Sequence, residues 1–469
     1  MIETLPDLDL SGLAATLGLP ELYPHQAAAI EASYRGRDVL VIAPTGGGKT
    51  AGFLGSALSR GGLSLIVSPL RSLIADQQRR LGEIGFPCLI WNSDVSDTDK
   101  RAILSLIEGG WRGVLYTTPE SLKGRELAAV LTGRVNLAVV DEAHCTLKER
   151  GFRAAYAWLG ASLDRIGAAT RYACTATLPA QDRSALIHTL RLADPLIITV
   201  PVARGNIALH VIEHHESLIC DVLRRHRGES GIVFCATVRA AEAMYALRKS
   251  QGYQVGIYHG RQTPKIKKAA QNAFMDGSVP AIIVTDAFLL GIDKADIRWC
   301  VHWDHPKSVE DWVQGFGRTG RDGEPAVAYG AFAGDQSGSA SRGFLIRSAY
   351  PPVDDLRAVW TSLNQYPNQD RTASEIGARV LGSRGKFSGQ SCITALKRHR
   401  LVTVQTNPAN KTRRFYSGVG RFDAVDWRGY EAEAKRAFDR YRQFCDLVRL
   451  PDDEIPDAID AYLGETETA

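Results

Sequence analysis

Ten short apolar runs, separated by longer amphipathic stretches, leave this chain few architectures to choose from. VLVIA (39–43), LSLIVS (63–68), GVLYTT (113–118), LAVVDE (137–142) and RYACTAT (171–177) form a first series. GIVFCAT (231–237), QVGIYH (254–259), AIIVTD (281–286), WCVHWD (299–304) and VAYGAF (327–332) form a second. A run apolar on both faces must be covered on both faces, and helical connections both supply the cover and return the chain in parallel. The expectation is an α/β fold with two tandem parallel-sheet domains, 1–204 and 205–335, joined near residues 198–210.

After Phe332 the alternation stops. AGDQSGSASRG (333–343) is small and polar, and Pro351-Pro352 follows, so 336–365 reads as a linker with a connecting helix. A different unit is expected over 366–421, where residues 371–421 hold many Lys and Arg and a single acid, Glu375. TASEIGARVL (372–381) and SGQSCITALKRHR (388–400) have helical spacing, and LVTVQT (401–406) and RRFYSGV (413–419) flank NPANKT as a hairpin. Helix–helix–wing is a winged-helix order, a variant of helix-turn-helix. Lys397, Arg398, Arg400, Lys411, Arg413 and Arg414 form the local basic patch that phosphate contacts need. Phe415 and Tyr416 stand beside it. An aromatic there can stack on a terminal base pair, or belong to the core, since the two residues alternate faces. Residues 422–469 are expected as a helical and acidic tail. Its last stretch, 452–467, is either a free segment or a cover for the basic unit.

Bulk properties exclude several classes. Net charge is only +4, so any polyanion-binding surface must be local. No apolar run approaches the ~20 residues of a membrane helix, and MIETLPDLDL lacks the basic start of a signal peptide. The eight cysteines include no CxxC pair, so neither zinc nor a disulfide framework is expected. These features point to a cytoplasmic protein with no membrane segment, and a monomer is expected.

Three motifs carry chemistry. In APTGGGKT (43–50), a strand leads into Gly46, Gly47 and Gly48 and then a helix, the context of a phosphate-binding loop. Lys49 would reach the β- and γ-phosphates of ATP, Thr45 lies in the loop, and the Thr50 hydroxyl would ligate Mg²⁺. Ala43 need only be small. Asp141-Glu142-Ala143-His144 follows a strand: Asp141 would hold Mg²⁺ and Glu142 would activate the attacking water. QGFGRTGRDG (314–323) brings Arg318 and Arg321, three apart, as cations for the transferring phosphoryl group.

APTGGGKT, SPLRSLIADQ (68–77), TTPESL (117–122), DEAHC (141–145), TAT (175–177), VTDAFLLGIDKADIR (284–298) and QGFGRTGRDG occur in that order. Together they resemble the motif set of superfamily 2 helicases, most closely the RecQ family of DNA helicases, across roughly residues 18–335. The resemblance implies two RecA-like domains. It implies that Tyr23 and Gln26 of LYPHQ face the adenine, and that Gly291 and Asp293 line the nucleotide site. It also implies nucleic-acid contacts at Ser68, Pro69, Arg71, Thr118 and Pro119, and coupling of hydrolysis to domain movement through Thr175 and Thr177.

Three departures stand out. In the segment after DEAHC, Phe152 and Arg153 match the family's aromatic loop, but the tryptophan and histidine before them do not. The family's cysteine-rich zinc module and its HRDC domain are not expected. The function implied is ATP-dependent, 3′-to-5′ movement on single-stranded DNA with duplex unwinding. Its rivals are an RNA helicase and a nucleic-acid-stimulated ATPase switch in repair or defence.

Overall fold

The computed structural model describes residues 8–464, apart from 70, 149–153, 203, 286–287, 289–293, 334–335 and 408–412. The described chain divides into two compact units. One comprises the chain to Trp303, Glu310–Gly330 and the segment from Leu450; the other comprises Asp304–Val309 and Ala331–Arg449.

The first unit contains two parallel sheets. The first sheet holds β1 (Val39–Ile42), β2 (Leu63–Val67), β3 (Cys88–Trp91), β4 (Gly113–Thr117), β5 (Val135–Val140), β6 (Arg171–Thr175) and β7 (Leu196–Thr199). Their order is 3-4-2-5-6-1-7, and every pair is parallel. Period-two alternation sorts the side chains into two layers. Leu40, Ile42, Leu65, Val67, Leu115, Ala138 and Val140 fill one. Val39, Val41, Ile66, Val114, Tyr116, Leu137 and Val139 fill the other. β3 and β7 escaped the sequence reading because they are edge strands with half-covered residues, and so lack the continuous apolar signal.

Register decides where the loops go. Ile42 pairs with Thr175, Val67 with both Thr117 and Val140, and Val140 with Ala173. Five strands therefore end along one edge, where the phosphate loop, Ser68-Pro69, Thr118-Pro119, Asp141-Glu142 and Thr175–Thr177 all emerge. The crevice outside the carboxyl ends of a parallel sheet is where ligands bind.

The second sheet holds β8 (Ile207–Glu213), β9 (Ser230–Phe234), β10 (Val255–Tyr258), β11 (Ala281–Val284), β12 (Ile297–His302) and β13 (Ala326–Ala333), in the order 10-11-9-12-13-8. The chain passes from the first sheet to the second between β7, which ends at Thr199, and β8, which begins at Ile207.

The C-terminal helix Ile455–Leu463 buries Ile455, Ile459 and Leu463, spaced four apart on one face. Arg183 donates to the carbonyls of Leu463 (3.0 Å) and Gly464 (2.6 Å). Asp460 accepts from Val202 N–H at 2.7 Å, and Asp452 from Val211 N–H at 3.0 Å. Up to Gly464 the acidic stretch is thus not free: it is bonded to both sheet bodies. The tail expected as one piece over 422–469 is divided, because helix Trp427–Leu447 lies in the second unit.

The second unit carries helices Val353–Gln365, Ala373–Leu381 and Gly385–Arg398 around an antiparallel sheet of β14 (Gln369–Arg371), β16 (Arg414–Gly418) and β15 (Val402–Thr406), in that order. Thr372 and Glu375 form a capping box on Ala373–Leu381. The 336–365 stretch, expected as a linker with a connecting helix, holds helix Gln336–Ala349 as well as Val353–Gln365. Composition suggested a loop, but no proline interrupts the segment, and Arg342 Nε is held by the His305 carbonyl at 2.5 Å.

A Cβ on Gly231 of β9 would collide with the Trp299 indole on the neighbouring β12. Gly231→Ala should therefore lower stability by about 1–3 kcal/mol through overpacking, read as a lower urea midpoint with an unchanged slope.

Candidate active site

The phosphate loop is built from tight backbone turns. Ala43 is fully buried, and its N–H donates to Thr175 O at 3.1 Å, so a larger side chain has no room there. Gly46 (φ 85°) and Gly48 (φ 72°) take left-handed conformations that glycine adopts at least cost. A Cβ on Gly48 would also collide with Gln26, and one on Gly47 would lie 3.0 Å from the Pro44 carbonyl. Gly48 caps helix Lys49–Arg60, whose unpaired N–H groups make a ready anion site. Thr45 and Thr50 flank the loop, both half-buried. Lys49 Nζ donates to the carbonyls of Ala43 (2.8 Å) and Pro44 (2.9 Å). Burial lowers its pKa, while the nearby Glu142 and Asp141 pull it back up.

The upstream segment braces this loop. Gln26 is buried; its Oε1 accepts from Tyr23 N–H at 2.8 Å, and its Nε2 donates to Gly48 O at 2.9 Å. Both ends of the amide that was expected to read adenine are therefore engaged with protein. Tyr23 is 57% exposed and stacks on His25, with ring centroids 5.6 Å apart. His25, which sequence reasoning missed, places Nε2 2.8 Å from Gly47 O. Burial lowers the pKa of His25, which favours a neutral ring donating to that carbonyl.

Asp141 and Glu142 stand opposite the loop. Asp141 Oδ1 accepts from Glu142 N–H (2.9 Å) and from the Cys174 thiol (3.4 Å). Burial, then repulsion from Glu142, raises the pKa of Asp141. Burial also opposes ionisation of Glu142, but His144, Lys49 and Arg318 outweigh it and hold this carboxyl below its usual range. Glu142 has φ 49°, a region a non-glycine residue rarely occupies, which points to a constrained site.

His144 secures Glu142. Thr175 Oγ1 donates its only proton to Thr177 O at 3.1 Å. His144 Nδ1 lies 2.8 Å from Thr175 Oγ1 and 3.3 Å from Glu142 Oε2, and with the hydroxyl proton directed at Thr177 a proton on Nδ1 suits both oxygens. From the second sheet's body, helix Val309–Phe316 sends Gln314 Nε2 to Thr177 Oγ1 at 3.1 Å. Arg318 acts electrostatically on Glu142, and Arg321 on Lys49. Both arginines thus reach the charge cluster seeded by the first sheet. Gly291 and Asp293 lie outside the described residues.

This two-sheet arrangement matches known motors. The family models for the DEAD/DEAH box helicase and the helicase conserved C-terminal domain match residues 23–186 and 214–323. The ATP-dependent DNA helicase RecQ of Pasteurella multocida is 30% identical over 323 residues, 68% of this chain and 51% of that protein. The RecQ of Synechocystis is 31% identical over 321 residues, covering 65% and 66%.

The chain belongs to the RecQ family of superfamily 2 helicases.

It spans about half the length of the Pasteurella relative (51%). Among solved structures, the helicase MrfA bound to DNA and AMPPNP aligns with TM-score 0.57 and 18% identity, over 90% of this chain and 63% of that one. Saccharomyces cerevisiae Dbp5 bound to RNA and ADP BeF3 aligns with TM-score 0.53 and 19% identity, over 71% and 92%. These likenesses establish shared fold, and the two parallel sheets are RecA-like domains.

In this RecQ-family motor, Ser68, Pro69, Thr118 and Pro119 are all buried at the strand ends. Pro69 and Thr118 line a cavity of about 610 Å³ with Trp91, Asn92, Ser93 and Lys100. The stretch Trp91–Ser93 was missed because β3 was missed. The Arg71 side chain, Phe152, Arg153 and Lys411 lie outside the described residues.

In the basic unit, Lys397, Arg400 and Arg414 are exposed, and Arg398 is half-buried. Arg413 is also half-buried and pairs with Glu375 at 3.1 Å. Tyr416 corrects the sequence reading: it is 5% exposed, in the unit's core with Leu356, Ile376 and Cys392, so its ring cannot stack on a base. Phe415, on the opposite strand face, remains partly exposed.

Thr175→Val keeps the side-chain volume but removes the oxygen that fixes His144. It should lower ATP turnover about 10- to 100-fold while nucleotide affinity, measured by titration, stays unchanged.

Proposed function

We propose that this chain couples ATP hydrolysis to 3′-to-5′ movement on single-stranded DNA and to duplex unwinding. The supporting observation is the charge cluster itself. Lys49, Asp141 and Glu142 of one RecA-like domain share their field with Arg318 and Arg321 of the other, while Gln314 grips Thr177. Phosphoryl transfer proceeds mainly by positioning and charge stabilisation, which such a cluster supplies.

ATP phosphates lie on the N–H groups of Gly46–Gly48 and on Lys49, with Tyr23 and Gln26 on the adenine side. The donor set also suits Mg²⁺: a buried carboxylate, Asp141, disfavoured as an anion beside Glu142, and the hydroxyl of Thr50 in the first helical turn. Mg²⁺ when bound neutralises phosphate charge. Glu142, kept ionised and held by His144, takes the proton of the attacking water. Arg318 and Arg321 stabilise the charge that develops on the transferred group.

The sheets span 1–204 and 205–335 as motor domains, with Ser68, Pro69, Arg71, Thr118, Pro119, Phe152 and Arg153 along the strand path, and Gly291 and Asp293 at the nucleotide. The 366–421 unit acts as a winged helix. Its Lys397, Arg398, Arg400, Lys411, Arg413 and Arg414 meet duplex phosphates, and Phe415 alone of the aromatic pair is available to stack.

Three sets of measurements test this reading. Glu142→Gln should cost about 10²–10⁴-fold in ATP turnover with nucleotide binding retained, whereas Lys49→Ala should lose both; normal turnover in either variant sinks the site assignment. Turnover should rise most with single-stranded DNA, and a 3′-tailed duplex should be separated. Stimulation by RNA alone would favour an RNA helicase, and turnover without separation an ATPase switch. Replacing Lys397, Arg400 and Arg414 together by Ala should weaken duplex binding and flatten its salt dependence by about one unit of slope for each phosphate no longer neutralised.

A further inference from the structure

We infer that Arg204 and Asn206, in the segment joining the two RecA-like domains, are positioning residues that hold the Arg318–Arg321 loop in its catalytic shape. Arg204 Nη2 donates to the carbonyls of Gly317 (2.8 Å) and Thr319 (2.7 Å), and its Nη1 to Gly320 O at 3.3 Å. Asn206 Nδ2 donates to Gly320 O (2.8 Å) and Glu324 O (2.9 Å). Asn206 also accepts, through its own carbonyl, from Ala326 N–H at 2.8 Å. Two side chains thus grip the backbone on both sides of Arg318 and again after Arg321.

The chemistry explains the choice of residues. The loop leaves the C-terminal end of helix Val309–Phe316, where carbonyls lack helical partners and carry the negative end of the helix dipole. A planar guanidinium presents several donors in a fixed fork to such a set, which an ammonium cannot do. Gly320 has φ 56°, and a Cβ there would lie 2.6 Å from Asn206 Nδ2, so the clamp and the loop glycine fit each other.

Geometry also links the clamp to the phosphate loop. A Cβ on Gly46 would lie 3.6 Å from Arg321 Cγ and 3.7 Å from Arg204 Nη1, so the loop tip meets both residues. Burial, then Arg321, pulls the Arg204 pKa down to about 10, which still leaves it charged at neutral pH. With Nη1 and Nη2 directed at backbone carbonyls, Arg204 acts through the loop rather than on phosphate. Two residues before Arg204, Val202 N–H is tied to Asp460. The joint between the domains is therefore the same piece of chain that shapes the arginine loop, and a change in one reaches the other.

This inference rests on the proposed role of Arg318 in hydrolysis, and the experiment separates the two. Steady-state ATP turnover of the full chain is measured at saturating single-stranded DNA for Arg204→Gln, Arg204→Lys, Asn206→Ala, Arg318→Ala and the Arg204→Gln/Arg318→Ala double variant. Affinity for a fluorescent ADP analogue is measured in parallel. Arg204→Gln should lower kcat by up to ~100-fold, as expected when a reacting group is misplaced by about 1 Å, with KM and ADP affinity close to wild type. Arg204→Lys, which keeps the charge but not the fork, should fail to restore the rate. The double variant should be no slower than Arg318→Ala alone, because a residue acting through another adds nothing once that one is gone.

Wild-type kcat in Arg204→Gln, multiplicative losses in the double variant, full rescue by lysine, or a parallel fall of kcat and ADP affinity would each overturn the positioning role. Full activity in Arg318→Ala would instead remove the role assigned to that arginine. Should Arg204→Gln fail to fold, Asn206→Ala carries the same comparison by removing two hydrogen bonds to the loop carbonyls, and an unchanged kcat there overturns the inference.

Discussion

The parallel register of the first sheet is the constraint on which the site depends. Strands at 39–42, 63–67, 113–117, 135–140 and 171–175 end level with one another because their backbone ladders leave no other alignment that keeps both apolar layers covered. Everything that follows a strand is delivered to one edge, whatever its distance in sequence. A one-residue slip of the Asp141 strand would exchange the buried faces and carry Asp141 and Glu142 out of reach of Lys49.

That delivery concentrates charge in a poorly solvated place, where unpaired ions are costly. The fold answers this by mutual neutralisation. Lys49, lowered by burial, faces the two carboxyls; Asp141 is pushed up and Glu142 down, the latter with help from His144 and Arg318. The two acids are adjacent in the chain but differ in their proton affinity because their neighbours differ. The left-handed backbone of Glu142 is the local counterpart: its side chain is aimed by its surroundings and not by relaxed backbone preference.

The second RecA-like domain completes this cluster through one helix and its terminal loop. Gln314 touches Thr177, and two arginines follow within seven residues. The joint supports the same loop through Arg204 and Asn206, while the C-terminal helix is bonded to the joint through Asp460. The acidic stretch up to Gly464 is thus tied to the first unit by hydrogen bonds, which composition alone left open.

What the sequence determined by itself follows from local physics. Apolar runs of strand length, a glycine run before Lys49, and an acid pair after a strand are short-range signals, and from them the two sheets and the strand-to-helix glycine loop were legible. The edge strands β3, β7 and β8, the helix at 336–349 and the burial of Tyr416 were not, because each depends on which neighbour covers which face. His25, Arg204, Asn206 and Asp460 escaped for a related reason. Their partners are backbone carbonyls and N–H groups, which every residue possesses, so nothing in the side-chain pattern marks where they will be met. Only the folded chain decides that, by bringing specific backbone groups within hydrogen-bond distance of a side chain as many as 281 residues away.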